Sequence, residues 1–308
     1  MLDKEKFFRE YPIEETFNKS DLEWSMLEAI FDDYQEYYKE LKEQSKDLQD
    51  YIENLLQEKS TEEERATEYH SLRCRVKDPM HLIEKIIRKR GSEHSFKYKE
   101  LDRTNYRQII TDLIGVRILI YAKEDWKRIW EKLKEGFPDD TSKAIYMQEE
   151  PVAYTRYGDR DIYGDLIQLK HSNKGYRSQH YVVNFKGYCC EIQVRTMAED
   201  VYGEFDHKVR YPYRDKNKFL LRYTNTFSQI LDSVDELVST CLDMGEDGWK
   251  RCEQYYNGDA YIDWEKINQK SDQYRKETGK QRTLLETTPS GLIDMKQSIM
   301  NSLLRKKK

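Results

Sequence analysis

From Trp24 onward the large apolar side chains fall at Trp24, Leu27, Phe31, Tyr34, Tyr38 and Leu41, three and four residues apart. After an interruption at Ser45 the pattern resumes at Leu48, Ile52 and Leu55. Such spacing draws one stripe along a helix and predicts a heptad-like seam, with Ser20-Asp-Leu-Glu23 as a capping box at its start. A seam of this kind has to lie against another helix of this chain or of a second copy. The acidic run at 62–64, before Arg65, reads as a helix end or short link. Asp78-Pro79 then starts a helix, because aspartate caps free N–H groups and proline is tolerated in the first turn. That helix runs to about Arg90, with Leu82, Ile83, Ile86 and Ile87 as its apolar stripe and Gly91 as its stop. A β-branched run at 115–121 predicts a strand, followed by a helix carrying Trp126, Ile129, Trp130 and Leu133 that closes at Gly136.

Residues 137–178 are rich in Tyr, Asp and Gly with weak periodicity, and predict a long connection of the functional or mobile kind. Two strands follow, 180–185 and 188–195, joined by a hairpin turn at Lys186-Gly187. Thr196-Met-Ala-Glu199 is a second capping box, opening a helix that reaches about Val209 and ends at Pro212. A long amphipathic helix carries Phe219, Leu220, Tyr223, Phe227, Ile230, Leu231, Val234 and Leu237. Together with the N-terminal seam it is expected to buttress the central sheet. A charged, helical C-terminal third ends in Arg305-Lys-Lys-Lys308.

Composition narrows the class. The chain has 308 residues, of which 36% are charged and 37% hydrophobic, and 24 Tyr and 5 Trp supply bulk that a disordered chain lacks. No apolar run approaches the roughly 20 residues of a membrane span, and the first residues form no signal-peptide core. A soluble cytoplasmic protein without a membrane is expected. The five cysteines show no CxxC spacing, so neither a disulfide framework nor a zinc site is suggested. Net charge is only −5, yet residues 1–70 hold 21 acidic against 9 basic side chains, whereas 71–120 hold 12 basic against 6 acidic. The basic stretch suits a polyanionic ligand such as a nucleotide.

Candidate chemistry sits beside that stretch. Alternation along Glu191-Ile-Gln-Val-Arg195 puts Glu191, Gln193 and Arg195 on one strand face, with Ile192 and Val194 on the other. Asp112 and Arg117 precede and enter the earlier strand, so both can join Glu191 on a common face. Two converging carboxylates can hold Mg²⁺ through oxygen, while arginines meet phosphate. Arg73, Arg75, Lys77 and Lys85 form a cationic cluster just before, and Gly175-Tyr176-Arg177-Ser178-Gln179-His180 adds an aromatic able to stack on a base and a histidine at the mouth of a strand. There is no Walker loop, GxGxxG or GxSxG, so P-loop, Rossmann and hydrolase sites lack their defining elements.

Arg75-Val-Lys77-Asp-Pro, Asp112-Leu-Ile-Gly-Val-Arg117, Gly175-Tyr-Arg-Ser-Gln-His180 and Glu191-Ile-Gln-Val-Arg-Thr196, in that order, resemble the synthetase domain of the RelA/SpoT family. The resemblance covers about residues 70–215. It implies an α/β (α+β) fold, a nucleotidyltransferase-like mixed sheet flanked by helices, with helical extensions at 1–69 and 216–308. It also implies a pyrophosphokinase that moves the β,γ-pyrophosphate of ATP to the 3′-hydroxyl of GDP or GTP, making (p)ppGpp with Mg²⁺. Carried over residue by residue, Arg75 and Lys77 would bind ATP, with Lys85 on its phosphates and Arg117 in support. Asp112 and Glu191 would share the metal, and Glu191 would orient or deprotonate the acceptor hydroxyl. Tyr176 would stack on the acceptor base through its ring and not its hydroxyl, beside Arg177 and Arg195 as acceptor contacts. His180 would lie near the transferred group, with Gln193 assisting catalysis.

This chain departs from the family pattern at Lys170-His-Ser-Asn-Lys174-Gly175, at Gln179 and at Phe205-Asp-His207. Because the first histidine is His70, residues 1–69 cannot build the His/Asp hydrolase of the long family members, and a single-activity short form is expected. Two further functions are carried alongside. One is a toxin of the same family that pyrophosphorylates the 3′ end of tRNA, or makes adenosine alarmones, beside an antitoxin protein. The other is a nucleotide-binding module without catalysis. A homo-oligomer is compatible with each, and no DNA partner is implied.

Overall fold

The structure is a computed structural model that describes residues 2–58, 69–91, 96–156, 160–172, 174–210, 213–214 and 217–243. Three helices come first, α1 (Lys4–Glu10), α2 (Glu14–Asn18) and α3 (Trp24–Gln57). The central part runs β1 (Ser71–Val76), α4 (Pro79–Arg90), α5 (Tyr106–Ile109), β2 (Ile114–Ile120) and α6 (Trp126–Gly136). It continues through β3 (Ile145–Met147), β4 (Val152–Thr155), α7 (Arg160–Tyr163), β5 (Gln168–His171), β6 (Ser178–Phe185) and β7 (Tyr188–Thr196), then α8 (Met197–Val209) and α9 (Lys218–Asp243). Residues 1–243 form one compact unit.

The strands make one mixed sheet in the order β1-β2-β7-β6-β4-β5, with β3 also paired to β6. β2 runs parallel to β7, and β4 to β5, while the other pairs are antiparallel. Period-two alternation gives the sheet one apolar face. Leu72, Val116, Ile118, Tyr181, Val183, Ile192 and Val194 are buried there in a common core with α3, α4 and α6. The turn between β6 and β7 has positive φ at both Lys186 (53°) and Gly187 (94°), the geometry that matches strand twist in a two-residue hairpin.

The N-terminal seam is a single helix of 34 residues. Leu27, Ile30, Tyr34, Leu48, Ile52 and Leu56 are fully buried within this chain, which settles the choice between an internal and an intermolecular partner for those positions. Ser45 does not interrupt the helix, since its hydroxyl donates to the carbonyl of Lys42. The expected capping box is not used: Glu23 is the N-cap and its side chain makes no capping bond, while Ser20 donates to the carbonyl of Phe17. Asp78, in contrast, accepts from the N–H groups of Met80 and His81 as its sequence predicts.

Three expectations are corrected. Residues 137–178 hold three short strands and a helix, and not a single connection; strands of three or four residues are too brief to show alternation. β1 is a strand as well, its Leu72, Cys74, Val76 alternation having been overshadowed by its charges. The third correction concerns α9. Its buried residues are Thr224, Ser228, Asp235 and Ser239, while Phe219, Tyr223, Ile230, Val234 and Leu237 are exposed. The helix therefore docks by its polar face, because that face meets buried cations. The acidic run at 62–64, Pro212 and the charged C-terminal third with its basic tail lie outside the described residues.

Candidate active site

The face opposite the core gathers the chemistry. Strand register aligns Arg73 with Arg117, Gln193 and His180 in one row, and Arg75 with Gly115 and Glu191 in the next. A cavity of about 210 Å³ opens on this face, lined by Arg73, Arg75, Asp112, Arg117, Glu191, Gln193 and Glu204. Strands β1, β2 and β7, the turn before β2 and helix α8 thus bring three arginines and three carboxylates to one cavity.

At one end, Lys77 Nζ and Lys85 Nζ each lie 2.8 Å from an oxygen of Asp112. Burial by itself would raise the Asp112 carboxyl, but the two ammonium groups hold it well below its usual range. Burial also pulls Lys77 down despite Asp112, whereas at Lys85 the attraction of Asp112 overcomes burial and pushes the ammonium up. Lys77 is fixed through its backbone: its N–H donates to Leu113 (2.9 Å), and the Tyr34 hydroxyl of α3 donates to its carbonyl (2.8 Å). Lys85 stands two turns into α4, the helix that Asp78 and Pro79 start.

At the other end, His180 Nδ1 is 3.6 Å from Glu191 Oε2, and His180 Nε2 is 2.9 Å from the Tyr176 hydroxyl. Arg195 donates to Tyr176 (2.5 Å), to Gln193 Oε1 (2.7 Å) and to Ser178 (3.0 Å), and Gln193 in turn donates to Glu191 (2.6 Å). Burial opposes charge on both His180 and Glu191, yet their mutual attraction prevails. The imidazole is pushed up to about 9, by the Tyr176 oxygen first and Glu191 second, and the Glu191 carboxyl is held down at about 2 by His180. Burial would raise Tyr176 too, but Arg195 and His180 lower it. Gly175 makes the approach to Tyr176 possible: its φ is +80°, and a Cβ there would meet Ser228 at 2.8 Å.

Among the described residues no group of three His, Cys, Asp or Glu could hold a metal. Asp112 and Glu191 nevertheless suit Mg²⁺, which commonly takes one or two carboxylates and fills its remaining positions with water and substrate phosphate. Asp112 Oδ1 is buried, lacks a well-aligned hydrogen bond and faces the Lys85 ammonium at 2.8 Å, a position that a hard cation would take in place of that ammonium.

The structure therefore brings Arg75, Lys77, Lys85, Asp112, Arg117, Tyr176, His180, Glu191, Gln193 and Arg195 to one face. Arg177 departs from its expected acceptor role. It is 3% exposed and paired with Asp232 (2.5 Å), Asp235 (3.4 Å) and Glu199 (3.7 Å), carboxylates that α8 and α9 bring against the segment just before β6. Arg195 backs Tyr176 and leaves the cavity wall to Gln193. Sequence reasoning missed Tyr34, Tyr154, Asp200 and Glu204. The last two pair with Arg117 at 2.9 and 2.6 Å; their spacing by four on α8 was visible, but nothing in the sequence pointed that helix at Arg117.

The fold is that of a mixed-sheet α/β domain whose open face gathers arginines, lysines and carboxylates. Residues 74–216 match the family model described as "Region found in RelA / SpoT proteins". A GTP pyrophosphokinase family protein from Streptococcus pneumoniae shares the fold, with a TM-score of 0.50 at 16% identity over 70% of this chain and 94% of that one. The small alarmone synthetase 1 of Bacillus subtilis, solved with its product pppGpp, gives a TM-score of 0.49 at 18% identity over 70% of this chain and 98% of that one. No curated protein sequence matches the chain.

Proposed function

We propose that this chain transfers the β,γ-pyrophosphate of ATP to the 3′-hydroxyl of GDP or GTP. The observation that carries this reading is the division of the open face into a phosphate end, Lys77 and Lys85 beside Asp112, and a hydroxyl end, Glu191 with His180 and Tyr176. The match of residues 74–216 to the RelA/SpoT family model supports it.

In this mechanism Arg75 and Arg117 flank the donor nucleotide in the cavity, and Lys77 and Lys85 turn from Asp112 to its phosphates. Asp112 and Glu191 would hold Mg²⁺, which supplies charge neutralisation on the transferring group when bound. The acceptor 3′-oxygen attacks the β-phosphorus, the bond to the α-phosphate oxygen breaks, and AMP leaves. Glu191, held ionised far below neutrality, accepts a hydrogen bond from the hydroxyl, aims it and takes its proton as the O–P bond forms, passing it on to solvent, with His180 as the adjacent positive charge. Such transfer depends chiefly on positioning and charge neutralisation, so a weak base is no obstacle.

The test is direct. The purified chain is incubated with Mg²⁺ and γ-labelled ATP together with GDP, GTP, ATP or bulk tRNA, and the labelled acceptor is identified. Label on GDP or GTP supports the proposal. Label on tRNA alone, or on none, overturns it.

A further inference from the structure

Tyr176 is carried by the connection at 172–177 between β5 and β6. Arg195 and His180 hold its hydroxyl, but the backbone on either side of it is tied to helices. The Lys174 carbonyl accepts from the Tyr202 hydroxyl of α8, and the Gly175 carbonyl accepts from the Ser228 hydroxyl of α9 at 2.8 Å. One residue after Tyr176, the Arg177 guanidinium pairs with Asp232 and Asp235 of α9 and with Glu199 of α8. Within the connection, the Ser172 hydroxyl accepts from the Tyr176 N–H at 3.1 Å.

The approach of α9 is close. Ser228 is fully buried, and a Cβ at residue 175 would meet both its Cβ and its Oγ at 2.8 Å, so the helix comes this near only because residue 175 carries no side chain. Ser228, Asp232 and Asp235 follow one another by four and three, which places them on one face of the helix. That face is polar for a reason: an apolar side chain there offers no donor to a carbonyl and no charge to a guanidinium. The helix is fixed in its turn by Thr196, whose hydroxyl donates to Asp235 at 3.0 Å, and by Lys123, which pairs with Asp232 and Glu236. α9 begins at Lys218, beyond residues 74–216 that match the family model.

Resting on the pyrophosphate-transfer reading above, we propose that Ser228 and Arg177 are positioning residues for the acceptor, through which α9 sets the place of the Gly175-Tyr176 backbone and so of the Tyr176 ring. Ser228 acts through the Gly175 carbonyl, and Arg177 through the carboxylates of α9 and α8. A connection released from these ties has to be ordered again by each acceptor that binds, which weakens binding. The donor end at Lys77, Lys85 and Asp112 lies on other elements and keeps its geometry.

Ser228→Ala tests this in the full chain, since it deletes one hydrogen bond and leaves the ion pairs in place. In calorimetric titration the affinity for GDP should fall about five- to tenfold, with a non-hydrolysable ATP analogue unaffected. In steady-state transfer the loss should appear in KM for GDP with kcat kept, and the Tyr176 amide should exchange its hydrogen faster. Arg177→Lys keeps a cation but loses the fork, and should again weaken GDP several-fold and spare the ATP analogue. Ser239→Ala is the control: Ser239 is buried on the same helix, its hydroxyl has no hydrogen bond, and the variant should bind GDP as wild type. Equal losses for GDP and the ATP analogue in Ser228→Ala, or an equal loss of GDP in Ser239→Ala, would show that α9 supports only the fold and overturn the proposal. Wild-type GDP affinity and amide exchange in Ser228→Ala would overturn it as well. The pyrophosphate-transfer reading fails separately, through wild-type protein that labels no acceptor, and exchange at Tyr176 then still decides whether Ser228 orders the connection.

Discussion

Arg195 Nη2 donates a 2.5 Å hydrogen bond to the Tyr176 hydroxyl, and the same guanidinium carbon lies 5.1 Å from the centroid of the Tyr176 ring. One arginine thus holds both the polar tip and the face of the proposed acceptor aromatic. The hydroxyl consequently matters more than a pure stacking role implies, since His180 also meets it at 2.9 Å.

Tyr176→Phe should therefore be harmful and not mild. Removing the oxygen leaves Arg195 and His180 each short of a partner inside the protein, at a cost of about 1–3 kcal/mol. Acceptor affinity and melting temperature should both fall, with ATP-analogue affinity kept. Tyr176→Ala should lose more acceptor affinity again. Wild-type behaviour of the phenylalanine variant in both assays would show that the Arg195 and His180 contacts contribute nothing.

Glu191→Gln should abolish transfer, by roughly 10²–10⁴-fold, because it removes a charge at nearly constant volume from the residue that aims the hydroxyl. Circular dichroism should show an unchanged fold, and ATP-analogue binding should persist. A folded variant that transfers at the wild-type rate would exclude Glu191 from the reaction.

His180 gives a pH signature. Its folded value is pushed up to about 9 from 6.5, with burial opposing and the Tyr176 oxygen and Glu191 favouring the charged ring. The raised value means that the folded state binds the proton more tightly, so the stability it contributes is full below about 6.5 and is lost as pH rises through about 9. Urea unfolding of wild type and His180→Gln should therefore differ most at about pH 6 and converge at about pH 10. A difference that stayed constant or grew with pH would mean that the ring is not held as a cation.

Tyr34 couples α3 to the phosphate end of the site. Tyr34→Phe deletes the 2.8 Å bond to the Lys77 carbonyl while keeping the ring in the core. The loss of about 1 kcal/mol should appear as roughly fivefold weaker ATP-analogue binding with acceptor affinity unchanged. Equal losses for both ligands would point to a general loosening instead.

Phe31, 6% exposed in the seam of α3, tests whether that seam packs within the chain. Phe31→Glu buries an unpaired charge at a cost of several kcal/mol, which should lower the melting temperature by roughly 10 °C. The mass measured by light scattering should stay as in wild type. A fall in mass at unchanged melting temperature would place the seam between copies.

The sequence by itself determined the elements whose signals are local. Asp78 and Pro79 fix the start of α4 through their own backbone and side chain, Thr196 and Glu199 do the same for α8, and Lys186-Gly187 specifies the hairpin by its positive φ angles. The motif residues from Arg75 to Arg195 were legible as well, since alternation along a strand states which of them share a face. Tertiary structure decided what depends on partners far along the chain. Only the β1-β2-β7-β6 register sets Arg73 against Arg117 and Gln193 against His180, and only the docking of α8 and α9 turns Arg177 into buried carboxylates. The same contact reverses α9, whose apolar stripe predicted an inward face. Buried Arg177 and Lys123 call for Asp232 and Asp235, and satisfying those charges outweighs covering the apolar side chains of that helix.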